Sequence, residues 1–96
     1  MTNKVLVRGN DIPSNSEVLG TSEFMDVALE QIASTALAVK GSDEAEPVLT
    51  AMSDILELMN EFLRAKNIAP EYLFEHAAEL RNTKGAFDKK VAVLKE

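Results

Sequence analysis

Cysteine is absent from this chain, and residues of positive charge are few. Without cysteine there is no disulfide framework, no thiol nucleophile and no Cys-ligated zinc. The net charge is −6, and no basic stripe is present that could bind a phosphate backbone, which argues against a nucleic-acid polymer as partner. No apolar run approaches the roughly 20 residues of a membrane span, so no membrane association is expected.

Aromatic residues are also scarce, with one tyrosine and four phenylalanines. Alanine, leucine, valine and methionine carry the apolar content, which favours helices over a β-sandwich. Hydrophobic residues make up 46% and charged residues 27% of the 96 residues, a balance typical of one globular domain. Lys4 and Arg8 flank only three apolar residues, which is not the pattern of a signal peptide, so we expect a cytoplasmic protein.

The order of the elements follows from periodicity and from helix-stop residues. Residues 1–20 predict an extended arm, and residues 21–96 a single α-helical domain. Apolar spacing predicts three helices. The first lies near 22–40, the second begins in the acidic stretch 42–47 and ends at about 66, and the third spans about 70–83. Residues 91–94 are expected to be extended and to pair with residues 5–7.

No charged residue occurs between Gln31 and Val39. A surface helix normally has a charged side, and a helix without one tends to be covered all round. We therefore expect this helix to pack on another subunit, giving a homo-oligomer, either a dimer or a tetramer, with an oligomeric core. The alternative is that small residues permit close helix packing within the monomer.

Asp54 and Glu57 lie one turn apart on the second helix, opposite its apolar stripe. Such a pair can hold a divalent cation or can form an ordinary solvated face. Glu57 and Glu61 are a like-charge pair, which is unfavourable unless a cation is near, and Arg64 supplies one. His76 is the only histidine, and neither a Gly-rich phosphate loop nor a metalloprotease motif is present.

Four segments, in order and at matching spacing, resemble the MazG-like, or phosphoribosyl-ATP pyrophosphohydrolase-like, branch of the all-α nucleoside triphosphate pyrophosphohydrolases. The resemblance covers nearly the whole chain. It implies an all-α bundle of three to four helices with short extended terminal segments. The matching segments are Val5-Leu6-Val7-Arg8 with Asp11-Ile12-Pro13, then Asp54-Ile55-Leu56-Glu57, then Lys66-Asn67-Ile68 through Leu73, and Lys84-Gly85-Ala86-Phe87 with residues 91–94.

The family hydrolyses nucleotides between the α- and β-phosphates with Mg²⁺, which carboxylates of two helices hold. When the chain is aligned with the family at Asp54, the family's other metal-ligand positions fall on neutral residues of this chain. A position of the third helix at which the family often has a lysine also falls on a neutral residue. Asp54 and Glu57 remain as metal candidates, with Glu30 one turn before Ser34. Arg8 and Lys84 lie in two of the matching segments and are the candidates for nucleotide contact. The neutral residues, which form the candidate pocket, are Ser34, Thr35, Ala38, Ala51 and Leu80.

Three functions are consistent with this pattern. The favoured one is a MazG-like protein that has lost Mg²⁺-dependent pyrophosphohydrolase activity, has no cofactor, and is a small-ligand-binding or structural oligomer. The first alternative is a divergent Mg²⁺-dependent nucleoside triphosphate pyrophosphohydrolase that uses Asp54, Glu57 and Glu30 and binds a nucleotide. The second is an acidic module that docks on a basic protein. Phosphoryl chemistry depends on a cation that holds charged oxygens, and the lost carboxylates weigh against efficient hydrolysis.

Overall fold

Three α-helices make up the regular structure of residues 3–95, the part of the chain that this computed structural model describes. Helix α1 spans Thr21–Ala38, α2 spans Ala45–Ala65 and α3 spans Glu71–Lys84, and a short 3-10 turn occupies Gly9–Asp11. These residues contain no strand. The prediction of an all-α fold is therefore confirmed, and the helices lie close to their predicted positions.

The helix ends follow from local backbone chemistry. Gly41, in the connection between α1 and α2, has a φ of 80°, which is a left-handed conformation that glycine adopts without strain. Pro70 is the N-cap of α3, where a missing N–H is tolerated because the first helical amides have no partner within the helix. Both signals are local, which is why periodicity and stop residues were sufficient to place the helices.

Helices α1 and α2 pack against each other, and their short connection makes them an antiparallel pair. The buried residues at this contact are Val27, Ala28 and Ala51, of which the two alanines allow the backbones to approach closely. Small residues thus do serve close packing within the chain. Most of the charge-free stretch from 31 to 39 is nevertheless exposed, including Ala33 and Ala36.

Helix α3 packs along neither of the other two helices within the described residues. The radius of gyration is 16.0 Å, whereas a compact domain of this length has a radius of about 12.5 Å. The single chain is therefore a helix pair with a projecting third helix. It contains little buried core of its own.

The predicted pairing of residues 91–94 with residues 5–7 is wrong. Val91, Val93 and Leu94 are almost fully exposed, and neither segment forms a strand. The physical reason lies in the arm, because a side chain of α1 binds the peptide groups of Leu6 that a neighbouring strand would have used. No helix among residues 3–95 is both long enough and apolar enough to cross a membrane.

Candidate functional site: the cleft beneath the N-terminal arm

The N-terminal arm lies across α1 and α2, and the side chain of Gln31 holds its middle. The backbone N–H of Leu6 donates to Gln31 Oε1 at 2.7 Å, and Gln31 Nε2 donates to the carbonyl of Leu6 at 3.0 Å. One amide side chain thus satisfies both peptide groups of Leu6, as a neighbouring strand would. This pair of hydrogen bonds is partly buried, so it positions the arm more firmly than an exposed contact would.

Arg8, further along the arm, binds two carboxylates of α2. Its Nε donates to Asp54 Oδ1 at 3.2 Å, and its Nη2 binds Asp54 Oδ1 as well. The same Nη2 lies 2.6 Å from Glu57 Oε2. Because residues three apart share one side of a helix, both carboxylates can face the planar guanidinium. The chain therefore supplies its own cation to the carboxylate pair.

The arm has a third anchor near its start. Lys4 Nζ lies 2.6 Å from a carboxylate oxygen of Glu17 and 2.7 Å from one of Glu23 in the first turn of α1. Hydrogen bonds with Glu17 and Glu23 raise the pKa of Lys4. These side chains are exposed, so salt in solution weakens the contact.

The charge of Arg8 does not change with pH in the physiological range. Hydrogen bonds with Glu57 and Asp54 raise the pKa of the guanidinium above its ordinary value. A group whose pKa rises on folding contributes stability below its ordinary pKa and loses that contribution only above the raised one. Titration of Arg8 therefore does not release the arm at any pH near neutrality.

A cleft of about 530 Å³ lies between the arm and the helix pair. That volume falls within the range of small-molecule sites, roughly 300–1,000 Å³. Its charged lining consists of four carboxylates and one guanidinium, so it disfavours an anionic ligand. The lining residues are Leu6, Val7, Arg8, Asp11, Phe24, Gln31, Thr50, Asp54, Glu57, Leu58 and Glu61.

Only some of the candidate residues meet at this cleft. Asp54, Glu57 and Arg8 line it together, and the other candidates do not. The candidates outside the cleft are distributed over three helices: Glu30, Ser34 and Ala38 are exposed on α1 and Thr35 is half-buried there, Ala51 is buried on α2, and Leu80 and Lys84 are exposed on α3.

Gln31 is a residue of the cleft to which the sequence analysis assigned no role. Its only signal was its place as the polar first residue of the charge-free stretch. Phe24, Thr50 and Leu58 also line the cleft, and helical spacing alone marks them as ordinary face or core positions.

The side chains of this site do not fit a Mg²⁺ ion held in the manner of the family. Asp54 and Glu57 both bind Arg8. Ala51 has no donor atom, and the hydroxyl of Ser34 donates to the carbonyl of Gln31 in its own helix. Within residues 3–95, no group of three or more His, Cys, Asp or Glu side chains is placed to hold a metal ion.

Gln31→Ala is expected to release the arm, because both bonds to Leu6 disappear and the remaining anchors are exposed ion pairs. Trypsin should then cleave after Arg8 about 30-fold faster than in the unchanged protein, since the two partly buried hydrogen bonds contribute about 1 kcal/mol each, or about 2 kcal/mol together. Ser34→Ala is the matched control, because its hydroxyl bonds only within α1. Equal cleavage rates for both variants would show that Gln31 does not hold the arm.

Comparison of the chain with family models, curated proteins and solved structures gave no match. The fold and the site themselves define an all-α protein with an acidic cleft that the N-terminal arm covers. Membership of the MazG-like family stays a prediction that rests on the sequence motifs.

Proposed function

We propose that this protein is a MazG-like helical oligomer that no longer hydrolyses nucleotides. The observation that carries the proposal is the bridge from Arg8 to Asp54 and Glu57. In this proposal the cleft either holds a small ligand that is uncharged or cationic, or serves only to seat the arm. The protein then acts as a ligand-binding or structural assembly with no cofactor.

Electrostatics supports this proposal over nucleotide hydrolysis. A nucleotide phosphate is attacked only when a cation neutralises its oxygens and positions the water. Here the carboxylates that would hold such a cation are already paired with a guanidinium. A triphosphate entering without a metal would meet the two remaining carboxylates of the cleft, Asp11 and Glu61.

The second candidate is a divergent Mg²⁺-dependent nucleoside triphosphate pyrophosphohydrolase in which the arm moves aside. One observation favours it: the ion pairs of Arg8 join exposed side chains. Exposed pairs contribute only about 0–1 kcal/mol each, so a tightly bound substrate could displace Arg8. In that case Asp54 and Glu57 would hold Mg²⁺, Arg8 would turn to the phosphates, and Lys84 would remain a candidate contact.

The acidic-module hypothesis has less support. The carboxylates of α2 that line the cleft are paired within the chain, since Arg8 binds Asp54 and Glu57 while Arg64 binds Glu61. These internal pairs lower the negative potential that a basic protein partner would recognise.

The test is calorimetric titration with Mg²⁺ and nucleoside triphosphates, with pyrophosphate release measured in parallel. We expect neither nucleotide binding nor release, both in the unchanged protein and in Arg8→Ala, which uncovers the two carboxylates. Release that Asp54→Asn abolishes would overturn the proposal in favour of the enzyme. Glu46→Gln is the matched control, because it removes a carboxylate of α2 that does not line the cleft.

A further inference from the structure

An apolar segment follows α3 and lies exposed on the protein. Gly85 ends α3 in a left-handed conformation with a φ of 87°, and the N–H of Lys90 then donates to the carbonyl of Phe87 at 3.2 Å in a turn. Residues 87–95 are called the exposed segment below. Four large apolar side chains of this segment are 80–98% exposed, which marks it as a place of interaction. They are Phe87, Val91, Val93 and Leu94.

The backbone of the exposed segment is as accessible as its side chains. Residues 91–94 include two β-branched valines, which favour an extended conformation, and they form neither a helix nor a turn. Their N–H and C=O groups make no hydrogen bond to any other residue of the described chain. Strand addition uses this combination, because the peptide groups pair with an open sheet edge while alternate side chains enter pockets.

The chain itself supplies no sheet edge for the exposed segment. Residues 3–95 contain no strand. The peptide groups of Leu6, in the segment with which pairing was predicted, are bound by Gln31. Among the described residues of a second copy, the exposed segment itself is therefore the backbone that remains for pairing.

Charge disfavours pairing between two exposed segments. Lys89 and Lys90 precede the apolar residues 91–94, and Lys95 follows them. An antiparallel pair centred on residue 92 would place Lys89 of one copy opposite Lys95 of the other, and a parallel pair in register would place each lysine opposite its equivalent. Like charges directly opposite each other destabilise a strand pair. The exposed segment is therefore better suited to a different protein than to its own copy.

The lysines also indicate the chemistry of that protein. The exposed segment has three lysines and one aspartate within a chain of net charge −6, so it is locally basic. Complementary charge on a partner steers the encounter and fixes the orientation of binding. We propose that residues 91–94 add as a strand to an open, apolar sheet edge of another protein, where carboxylates of that protein meet Lys89 and Lys95.

An anionic lipid surface fits these observations less well. It would attract the lysines and take up the apolar side chains, but hydrocarbon offers no hydrogen-bond partner to the peptide groups of an extended segment. The inference goes beyond the proposed function and does not depend on it, because the exposed segment contributes no residue to the cleft beneath the arm.

Photo-cross-linking followed by titration of a purified complex tests the inference. The full chain, with the photoreactive p-benzoylphenylalanine in place of Phe87, is irradiated in cells, and the cross-linked protein is identified and purified. Calorimetry then measures its affinity for the unchanged chain. We expect the cross-link to lie beside an edge strand of the partner. Amide hydrogen exchange of residues 91–94 should slow at least tenfold in the complex, because these amides become paired.

Proline substitutions test for strand pairing in this complex. Neighbouring N–H groups of a strand point to opposite edges, so Ala92→Pro or Val93→Pro must remove a hydrogen bond to the partner. At least one of the two should weaken binding tenfold or more, and Val93→Ala shows how much of the second effect comes from the lost side chain. Ala86→Pro is the matched control, because it lies before residues 91–94, and it should change affinity less than twofold.

Charge reversal tests the partner's carboxylates. Lys89→Glu and Lys95→Glu should each weaken binding about tenfold, because each replaces an attraction by a repulsion. Lys40→Glu is the matched control, since it makes the same change at an exposed position after α1, and it should leave the affinity unchanged.

Four outcomes would overturn the inference. They are a cross-link to a second copy of the chain alone, the absence of any cross-linked protein, equal affinity of Ala92→Pro, Val93→Pro and the unchanged chain, and a partner that binds through helices. Vesicles that contain phosphatidylserine are titrated in parallel. If they bind the chain through Lys89 and Lys95 while no protein is cross-linked, the exposed segment recognises lipid instead.

Discussion

Val27→Asp is expected to unfold the helix pair. Val27 is only 1% exposed and is the largest fully buried side chain of the described residues. An unpaired carboxylate in that position costs about 3–5 kcal/mol, because the buried residues of the described chain include no polar or charged side chain that could replace water. Since the whole stability of a domain is about 5–15 kcal/mol, and this core is small, most of the helical circular dichroism should be lost at 25 °C.

Val18→Asp is the matched control, because it makes the same change at a valine that is 100% exposed. Its free energy of unfolding, measured by urea titration, should stay within about 0.5 kcal/mol of the unchanged protein. If the two variants unfold alike, the contact between α1 and α2 is not the core of the protein.

Ala51→Glu is expected to be the next most damaging change. It places a carboxylate where the family that the chain resembles has a metal ligand, but Ala51 is only 7% exposed at the contact of α2 with α1. The larger side chain overpacks the contact and buries a charge, which together should lower the free energy of unfolding by about 2–4 kcal/mol. Urea titration in the absence of divalent cations measures the effect.

Ala45→Glu is the control for this change, because it makes the same substitution on α2 at an exposed position that does not line the cleft. We expect it to alter stability by less than about 1 kcal/mol. The titration of Ala51→Glu is then repeated with Mg²⁺. Recovery of stability with millimolar Mg²⁺ would mean that the introduced carboxylate forms a metal site together with Asp54 and Glu57, against the proposal that Arg8 has taken the place of the metal.

The helices could be predicted because their signals are local. Apolar residues at helical spacing define α1 and α2, and Gly41 and Pro70 mark a turn and a helix start by their own backbone preferences. The terminal segments could not be predicted in the same way. Residues 5–7 and 91–94 have the composition of strands, but a strand forms only when a second backbone is in reach. The side chain of Gln31 instead binds the backbone N–H and C=O of Leu6.

The candidate site was predictable in part. Helical spacing identified Asp54 and Glu57 as neighbours on one side of α2, and Arg8 was singled out in the arm. Its prediction as a nucleotide contact remains untested, while the structure pairs it with the two carboxylates. Gln31 was missed, because a single amide within an apolar helix carries no sign of the backbone that it will bind.

The sequence by itself determined that this protein is helical, acidic and without cysteine chemistry, since composition and periodicity act within a few residues of one another. Only the tertiary structure decided what the carboxylate pair binds. Arg8 and Asp54 are 46 residues apart in the chain, and no spacing rule relates charges at such a separation. The two meet because Gln31 aligns the arm, and because α1 and α2 pack on small residues such as Ala28 and Ala51 to give the arm a surface to lie on.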